Sequence, residues 1–207
     1  MSRPEVVLLD MDGVIRHWDP GAAVRAEEAG GLEPGSLEAA AYGVPEYQAG
    51  VLGAVSFGEW CSATEAALAG EYGPVAAQRA VCVWHEDRGT VDPAMRALIE
   101  ALRSEVRVGL LSNAHDVLRA DLLAHGLGDA FDRVICSAEI GLAKPDPAIY
   151  LAAADALGCA PEACYFADDL IANVEGARTT GMDAQVFVSA VDLAVELAVR
   201  GISVDWG

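Results

Sequence analysis

Five short runs of hydrophobic residues, rich in β-branched side chains, stand out along the chain. Each run ends in polar or small residues, and an apolar run of this length is typical of a strand buried on both faces of a sheet. The runs lie at residues 6–9, 106–111, 134–136, 164–167 and 185–188. The pattern therefore predicts five buried strands.

The stretches between the later four runs have helical spacing. Asp92-Pro93 and Asp146-Pro147 each place an N-cap residue before a proline at the first helical position, which predicts that helices begin there. Further helices are expected around Val117, Leu118, Leu122 and Leu123, from about residue 171 toward 181, and over 193–199. Because strands and helices alternate, we expect an α/β fold with a parallel sheet and helices on both faces.

The first half of the chain breaks this alternation. Between the first two hydrophobic runs the sequence is rich in alanine, punctuated by glycine and proline, and helical in spacing. A structureless loop of such length is improbable inside a compact domain. We therefore expect a small α-helical subdomain over about residues 16–88, inserted into a sheet-containing core formed by residues 1–15 and 89–207.

Composition narrows the functions open to the chain. Of 207 residues, 13 are Lys or Arg and 32 are Asp or Glu; the formal net charge of −19 excludes nucleic-acid binding through bulk positive charge. The 53% of hydrophobic residues supply a core. We find no pattern of a membrane span or signal peptide, so we expect a cytoplasmic protein without a membrane partner. The five scattered cysteines form no C-x-x-C pair and are expected to be buried free thiols.

Two pairs of acidic residues follow predicted strands. Asp10 and Asp12 follow the first strand and precede Gly13, which places both carboxylates near the crevice where open α/β sheets bind ligands. Taken alone, this pair is equally consistent with acids that cap the next turn. Asp168 and Asp169 follow the fourth strand, and adjacent like charges repel unless a cation neutralises them, which favours a bound metal ion.

A hydroxyl, an amide and an amine follow the second and third strands. Ser112 and Asn113 lie at a strand-to-helix junction that can bind an anion, although an ordinary helix N-cap is the simpler interpretation of this pair alone. Lys144 precedes Pro145, which restricts its backbone, although a lone lysine is usually only solvated. These separate interpretations do not explain why all four motifs follow strands. The carboxyl ends of successive parallel strands meet at one edge of the sheet, so the combination favours a single site.

These four motifs resemble those of the haloacid dehalogenase superfamily, in its phosphohydrolase branch. The resemblance covers essentially the whole chain and rests on Asp10-Met11-Asp12-Gly13-Val14, Leu111-Ser112-Asn113, Lys144-Pro145-Asp146-Pro147 and Asp168-Asp169. It implies a Rossmann-like, doubly wound sheet with the Asp10 strand at its centre. The insertion after the first motif is where this superfamily carries the first type of helical cap, that of subfamily I.

The resemblance also implies a mechanism and a cofactor. Asp10 would attack phosphorus to form an aspartyl-phosphate, and Asp12 would protonate the leaving alcohol and then activate water. The ligands of Mg²⁺ would be the Asp10 carboxylate, the Asp12 carbonyl, Asp169 and, directly or through water, Asp168. The groups that hold the phosphoryl oxygens would be Ser112, the backbone amide of Asn113 and Lys144.

Asp12 bears on the choice between reactions. True haloacid dehalogenases lack this second aspartate, so its presence favours hydrolysis of a phosphate monoester. A phosphomutase remains an alternative because it uses the same aspartate pair. A phosphoacceptor receiver module carries similar groups without turnover, but its adjacent acids end the first strand and it has no helical insertion. A member of the superfamily that only binds a partner is disfavoured, because every motif position is filled.

Substrate preference is expected to depend on side chains in or next to the insertion. The candidates are Arg16, His17, Trp18 and Trp60. Residues 49–60 resemble the cap segment of glucose-1-phosphate-type and epoxide-hydrolase-linked phosphatases, and a small aromatic cap favours a small phosphorylated metabolite, such as a sugar phosphate. For any single tryptophan, packing in the cap core is the simpler interpretation. The histidines match no metal-binding spacing, and His115 is expected on a polar surface.

Overall fold

The central sheet has the strand that precedes Asp10 in its middle. The structure, a computed structural model, describes residues 3–206. Its strands are β1 (Val6–Leu9), β2 (Arg16–His17), β3 (Thr90–Val91), β4 (Arg107–Ser112), β5 (Arg133–Cys136), β6 (Cys164–Asp168) and β7 (Asp183–Val186). Five of them form a parallel sheet in the order β5-β4-β1-β6-β7. The predicted parallel sheet and its central strand are therefore confirmed.

Helices lie in two groups along the chain. Those between β2 and β3 are α1 (Ala22–Gly30), α2 (Ser36–Gly43), α3 (Pro45–Val51), α4 (Phe57–Tyr72) and α5 (Pro74–Trp84). Those that alternate with the later strands are α6 (Pro93–Leu102), α7 (Leu118–Ala124), α8 (Ser137–Ile140), α9 (Pro147–Leu157), α10 (Ile171–Thr179) and α11 (Ala190–Val199), with a 3₁₀ turn at Pro161–Ala163. The aspartates before α6 and α9 cap the first turns with their side chains, as their sequences predict.

The sheet is covered on both faces. Successive side chains of β1 alternate, so Val7 and Leu9 pack with α6, α7 and α11 on one face. Val6 and Leu8 pack with α9 and α10 on the other face. All four side chains are fully buried, which explains why the strand is a continuous hydrophobic run. The fold is therefore a doubly wound α/β fold.

Helices α1–α5, which we call the helical layer, have a hydrophobic cluster of their own. Leu37, Leu68 and Val81 come from three different helices of this layer and are buried together. The longest of these helices, α4, begins at a capping box in which Ser56 and Glu59 each accept a hydrogen bond from the other's backbone N–H. The segment after the first strand is thus helical, as its spacing predicts.

Two short strands connect the sheet to the helical layer, and they pair with each other. Strand β2 runs antiparallel to β3, with Arg16 opposite Val91 and His17 opposite Thr90. The hydrophobic pattern does not predict these strands, because two residues are too few to show an alternation. Their pairing fixes the place where the chain enters and leaves the helical layer.

The last strand begins and ends two residues earlier than the run at 185–188 predicts. Asp183 and Ala184 pair with β6, whereas Val188 lies beyond the strand and is 76% exposed. Because β7 is at the edge of the sheet, its hydrophobic side chains are not required to be buried. The hydrophobic run is therefore a poor guide to the position of this strand.

Leu123 and Cys82 also lie outside the core, and the exposure of Cys82 corrects the prediction that the cysteines are buried. Leu123 is exposed because it lies on a different side of α7 from the buried Leu118 and Leu122. Cys82 is exposed on α5, next to the buried Val81. Within residues 3–206, none of the helices combines the length and the hydrophobicity needed to cross a bilayer.

Candidate active site

Three predicted site residues form a buried ionic cluster at the carboxyl edge of the sheet. Asp10 follows the central strand β1, and its Oδ1 accepts a hydrogen bond of 2.7 Å from the backbone N–H of Met11. The Lys144 ammonium lies 2.7 Å from Asp10 Oδ1 and 2.6 Å from Asp168 Oδ2. All three side chains are buried. The structure therefore brings together residues that are far apart in the sequence, as expected for residues at the carboxyl ends of parallel strands and in the loops beyond them.

Asp168 is held in place from several directions. Besides Lys144, the side-chain amide of Asn173 donates to both carboxylate oxygens of Asp168, at 3.0 Å each. The backbone N–H of Leu170 donates to Asp168 Oδ1 at 2.8 Å. A buried carboxylate requires such partners, because an unpaired charge is costly away from water. Asp168 is thus rigidly oriented toward its neighbours.

Burial and neighbouring charges shift the pKa values of the side chains in this cluster. Burial raises the pKa of Asp10 to about 7, Lys144 opposes this shift, and Asp168 adds to it. Burial followed by the charge of Asp168 also raises the pKa of Asp169. Burial alone would lower the pKa of Lys144, but Asp10 and Asp168 outweigh it, so the pKa of the lysine is raised and it stays a cation.

The donor set fits a hard divalent cation. One carboxylate oxygen each from Asp10, Asp168 and Asp169 lies within 4.8 Å of the others. Mg²⁺ prefers oxygen ligands and keeps some of its waters, so three converging carboxylates are enough protein ligands for it. The cation would also reduce the repulsion that raises the carboxylate pKa values. Asp12, whose carboxylate is not part of this group, would contribute only its backbone carbonyl.

Gly13 is required by the position of Asp169. Its φ of +83° lies in the left-handed region that favours glycine, and a Cβ atom there would lie 2.6 Å from Asp169 Cγ. Any side chain at this position would therefore push Asp169 away from the carboxylate cluster. This explains in physical terms why glycine follows Asp12.

Ser112 and Asn113 follow β4 beside this cluster. Ser112 is buried at the end of the strand and lines the same cavity as Asp10 and Lys144. The Asn113 side chain joins two segments: its Nδ2 donates to the Lys144 carbonyl at 2.9 Å, and its Oδ1 accepts from the Lys144 backbone N–H at 2.8 Å. Asn113 therefore fixes the backbone that carries the lysine.

Arg16 binds the carboxylate of Asp12. Its Nε donates to Asp12 Oδ1 at 2.7 Å and its Nη2 to Asp12 Oδ2 at 3.1 Å, while its Nη1 donates to Asp121 Oδ2 at 2.9 Å. Arg16 is only 3% exposed, and its guanidinium lies 4.2 Å from the centre of the Trp18 ring. An arginine with two acidic partners and a stacked ring is a fixed group, so it orients the Asp12 carboxylate.

The ionic cluster opens into a cavity that the helical layer closes from above. Its volume is about 830 Å³, and all four predicted specificity residues, Arg16, His17, Trp18 and Trp60, line it. Trp60 is largely buried and its indole donates to the Ala41 carbonyl at 2.7 Å, so it also packs in the helical layer.

His115 is not on a polar surface, which corrects the prediction. It precedes α7 and is 8% exposed, its Nε2 lies 3.2 Å from the Tyr47 carbonyl, and its ring is 4.6 Å from that of Trp60. The neighbouring rings come from the helical layer, which the sequence spacing around His115 cannot reveal.

Two residues of the site have no predicted role. Asn173 binds the carboxylate of Asp168. The only feature of the sequence that points to Asn173 is its place in the first turn of α10, the helix that follows the acidic pair. Asp121 anchors Arg16 from α7, at a separation of 105 residues. Nothing local in the sequence marks such a partner, because the contact exists only once the sheet and the helical layer are assembled.

Comparison with known proteins agrees with this arrangement. The family model of haloacid dehalogenase-like hydrolases matches residues 4–181. Phosphatase MT3486 of Mycobacterium tuberculosis is 45% identical over 93 residues, which are 44% of this chain and 43% of that protein. Phosphoserine phosphatase of Thermus thermophilus is 39% identical over 89 residues, 42% of this chain and 36% of that protein. The matches thus span less than half the length of these curated relatives.

A solved structure shares the fold. A haloacid dehalogenase family enzyme from Bacteroides thetaiotaomicron, in complex with magnesium and inorganic phosphate, is similar with a TM-score of 0.67. The likeness covers 90% of this chain and 95% of that one at 19% sequence identity. At this identity the comparison concerns the arrangement of strands and helices.

Proposed function

Because the chain belongs to the haloacid dehalogenase-like hydrolases, we propose that it is a magnesium-dependent phosphohydrolase that cleaves a small phosphate monoester. The observation that carries the proposal is the meeting of Asp10, Lys144 and Asp168 at the end of the central strand, with Asp169 beside them. A nucleophile, a cation and a set of metal ligands that converge on one place are what phosphoryl transfer requires.

Asp10 is the proposed nucleophile. One of its carboxylate oxygens forms a bond to phosphorus, and the bond from phosphorus to the ester oxygen breaks, which gives an aspartyl-phosphate and an alcohol. Asp12 donates the proton that the leaving oxygen requires. In the second step Asp12 accepts a proton from water, whose oxygen attacks phosphorus and releases Asp10 and orthophosphate.

The remaining motif residues bind and orient the phosphoryl group. Lys144, Ser112 and the backbone N–H of Asn113 are proposed to hold its oxygens and to stabilise the charge that spreads over them. Mg²⁺, held by Asp10, Asp168, Asp169 and the carbonyl of Asp12, would supply charge neutralisation at the transferred group. Arg16 keeps the Asp12 carboxylate in one orientation, which favours transfer of the proton to a defined atom.

The helical layer is the proposed cap of the first type. We assign residues 16–88 to it and residues 1–15 and 89–207 to the catalytic core. Both contribute to the cavity, so the alcohol portion of the ester would lie between them. The relative named phosphoserine phosphatase supports a small phosphorylated metabolite as substrate.

Phosphate release from p-nitrophenyl phosphate, with MgCl₂ or with EDTA, tests this proposal. We expect multiple turnovers that depend on Mg²⁺ and are lost in Asp10→Asn, which keeps the shape of the side chain and removes the nucleophile. A single phosphorylation without turnover would indicate a phosphoacceptor module. Isomerised sugar phosphate without free orthophosphate would indicate a phosphomutase. Undiminished activity of Asp10→Asn would contradict the mechanism.

A further inference from the structure

The cavity extends well beyond the space that a phosphoryl group needs. Its lining runs from Asp10 and Lys144 at the sheet to side chains of the helical layer such as Tyr42 and Trp84, and its volume is about 830 Å³. The alcohol portion of a substrate would therefore contact the helices. We call the part of the cavity remote from the sheet the outer compartment; its lining includes Tyr42, Tyr47, Phe57, Trp60, Trp84 and His85.

Two of the rings in the outer compartment, Trp60 and His85, have a ring nitrogen bound within the protein. The Trp60 indole donates to the Ala41 carbonyl, and His85 Nε2 lies 3.2 Å from Cys61 Sγ. The rings also hold each other in place, as between Phe57 and His85 at 4.8 Å. They therefore offer aromatic surface to a ligand. A flat ring would bury more apolar surface against them than a polyhydroxylated alcohol would.

Tyr42 and Tyr47 line the same cavity as Asp12. Burial raises the pKa of both phenols, and the negative charge of Asp12 adds to each shift. Tyr42 is still 51% exposed, and its ring contacts that of Tyr47 at 5.0 Å and that of Trp84 at 6.1 Å. A ring that leaves phosphorus near Asp12 would meet this aromatic surface first.

The charges around the cavity disfavour a second anion on the substrate. The acidic side chains that line it are Asp10, Asp12, Asp19, Glu38, Asp87, Asp121 and Asp169, and the lysine and arginines are Arg16, Arg88 and Lys144. Each of these cations already faces a carboxylate, with Arg88 3.4 Å from Asp121. Burial, followed by the charge of Arg88, lowers the pKa of His85 to about 4, so this imidazole is neutral near pH 7.

We propose that the outer compartment binds a planar aromatic alcohol that carries no second anionic group, so that the substrate is an aryl or arylmethyl phosphate monoester. The location of this subsite rests on the proposed phosphohydrolase activity, and its chemistry rests on the rings and charges. Aromatic surface gains dispersion and apolar burial from a flat ring, and the excess of carboxylates repels a carboxylate or a second phosphate. Sugar phosphates are therefore poorer substrates.

Three esters with a six-membered ring isolate the two features. Benzyl phosphate supplies an uncharged aromatic ring, 4-carboxybenzyl phosphate adds one anionic group, and glucose 6-phosphate replaces the aromatic ring by hydroxyls. We expect kcat/KM for benzyl phosphate to exceed the other two values by about tenfold or more, which is the scale of one well-placed apolar contact.

Substitution of one exposed ring locates the preference. Tyr42→Leu is expected to lower kcat/KM for benzyl phosphate about tenfold, mainly through KM, and to leave glucose 6-phosphate within about twofold. Tyr72→Leu is the matched control, because Tyr72 packs in the helical layer without lining the cavity. It is expected to leave the ratio of the two esters unchanged.

A binding measurement separates this inference from the proposed activity. Calorimetric titration with the non-hydrolysable benzylphosphonate and 4-carboxybenzylphosphonate, in the presence of Mg²⁺, reports the preference without turnover. Tighter binding of the uncharged ring with no hydrolysis of any ester would contradict the activity and keep the subsite. Equal binding of the two phosphonates, or kcat/KM for glucose 6-phosphate at or above that for benzyl phosphate, would overturn the subsite.

Discussion

The two walls of the cavity are built in opposite ways. At the sheet edge, the buried Lys144 ammonium lies within 2.7 Å of the Asp10 and Asp168 carboxylates, which stand at the ends of the buried strands β1 and β6. On the helical layer, aromatic rings such as Trp84 and Tyr42 pack edge to face at about 6 Å. In the proposed function, the sheet edge therefore carries the chemistry and the helices select the leaving group.

Asp10→Asn is expected to have the strongest effect, and it changes the wall at the sheet edge but not the aromatic wall. Loss of a nucleophile costs about 10⁴-fold or more in kcat, for every ester alike. The affinities for benzylphosphonate and 4-carboxybenzylphosphonate should change by the same factor, because both share the phosphonate group and the rings that discriminate between them are untouched. A change in the ratio of the two affinities would show that the two walls are not independent. Steady-state kinetics and calorimetry measure the two effects.

Gly13→Ala tests the geometry of the carboxylate cluster. The added Cβ would lie against Asp169 at a φ of +83°, so we expect about a 100-fold loss in kcat/KM and weaker Mg²⁺ binding. Gly31→Ala is the matched control: its φ is +67°, yet nothing lies within 4 Å of the added atom. The control should lose some stability and keep its activity. Equal activity losses in both variants would exclude a specific role for the Gly13 contact.

Arg16→Gln removes the hydrogen-bonded ion pairs that Arg16 forms with Asp12 and with Asp121. Without the guanidinium, Asp12 loses its orientation and Asp121 loses its closest partner, so activity and thermal stability should both fall. We expect kcat for an alkyl phosphate to fall about 10- to 100-fold, and that for p-nitrophenyl phosphate less, because its leaving group does not require a proton. The double variant with Asp121→Asn should recover stability without recovering kcat. An equal loss for both esters would contradict the role through Asp12.

The pH dependence of metal stabilisation gives the smallest effect. Burial raises the pKa of Asp10 from 3.8 to about 7, so the metal-free fold gains stability from the protonated form below about pH 4 and loses it as the pH rises through about 7. Mg²⁺ requires the ionised form, so it should raise Tm more at pH 8 than at pH 5. At about 100 times its Kd, the gain is about 2.7 kcal/mol, or about 5 to 10 °C. Thermal melts of Asp10→Asn should show a weaker pH dependence.

The sheet side could be predicted closely from the sequence, whereas the helical side could be predicted as an inserted helical segment but not in its contacts. Strand β1 and the residues that follow β1, β4 and β6 are marked by hydrophobic runs, because a strand buried on both faces has no polar positions. The hydrophobic run places β7 two residues too late, because it includes exposed valines at and beyond the end of this edge strand. The surroundings of His115 and the Arg16 partner Asp121 depend on contacts between segments that are far apart in the chain. No local pattern records such contacts.

Chemical trapping of the intermediate tests the central claim most directly. The protein is mixed with Mg²⁺ and p-nitrophenyl phosphate, quenched during turnover and treated with borohydride, which reduces an aspartyl-phosphate to homoserine. Peptide mass spectrometry then locates the reduced residue. We expect homoserine at position 10, and none without substrate or in Asp10→Asn. Homoserine at another aspartate, or turnover in Asp10→Asn at the unchanged rate, would contradict it.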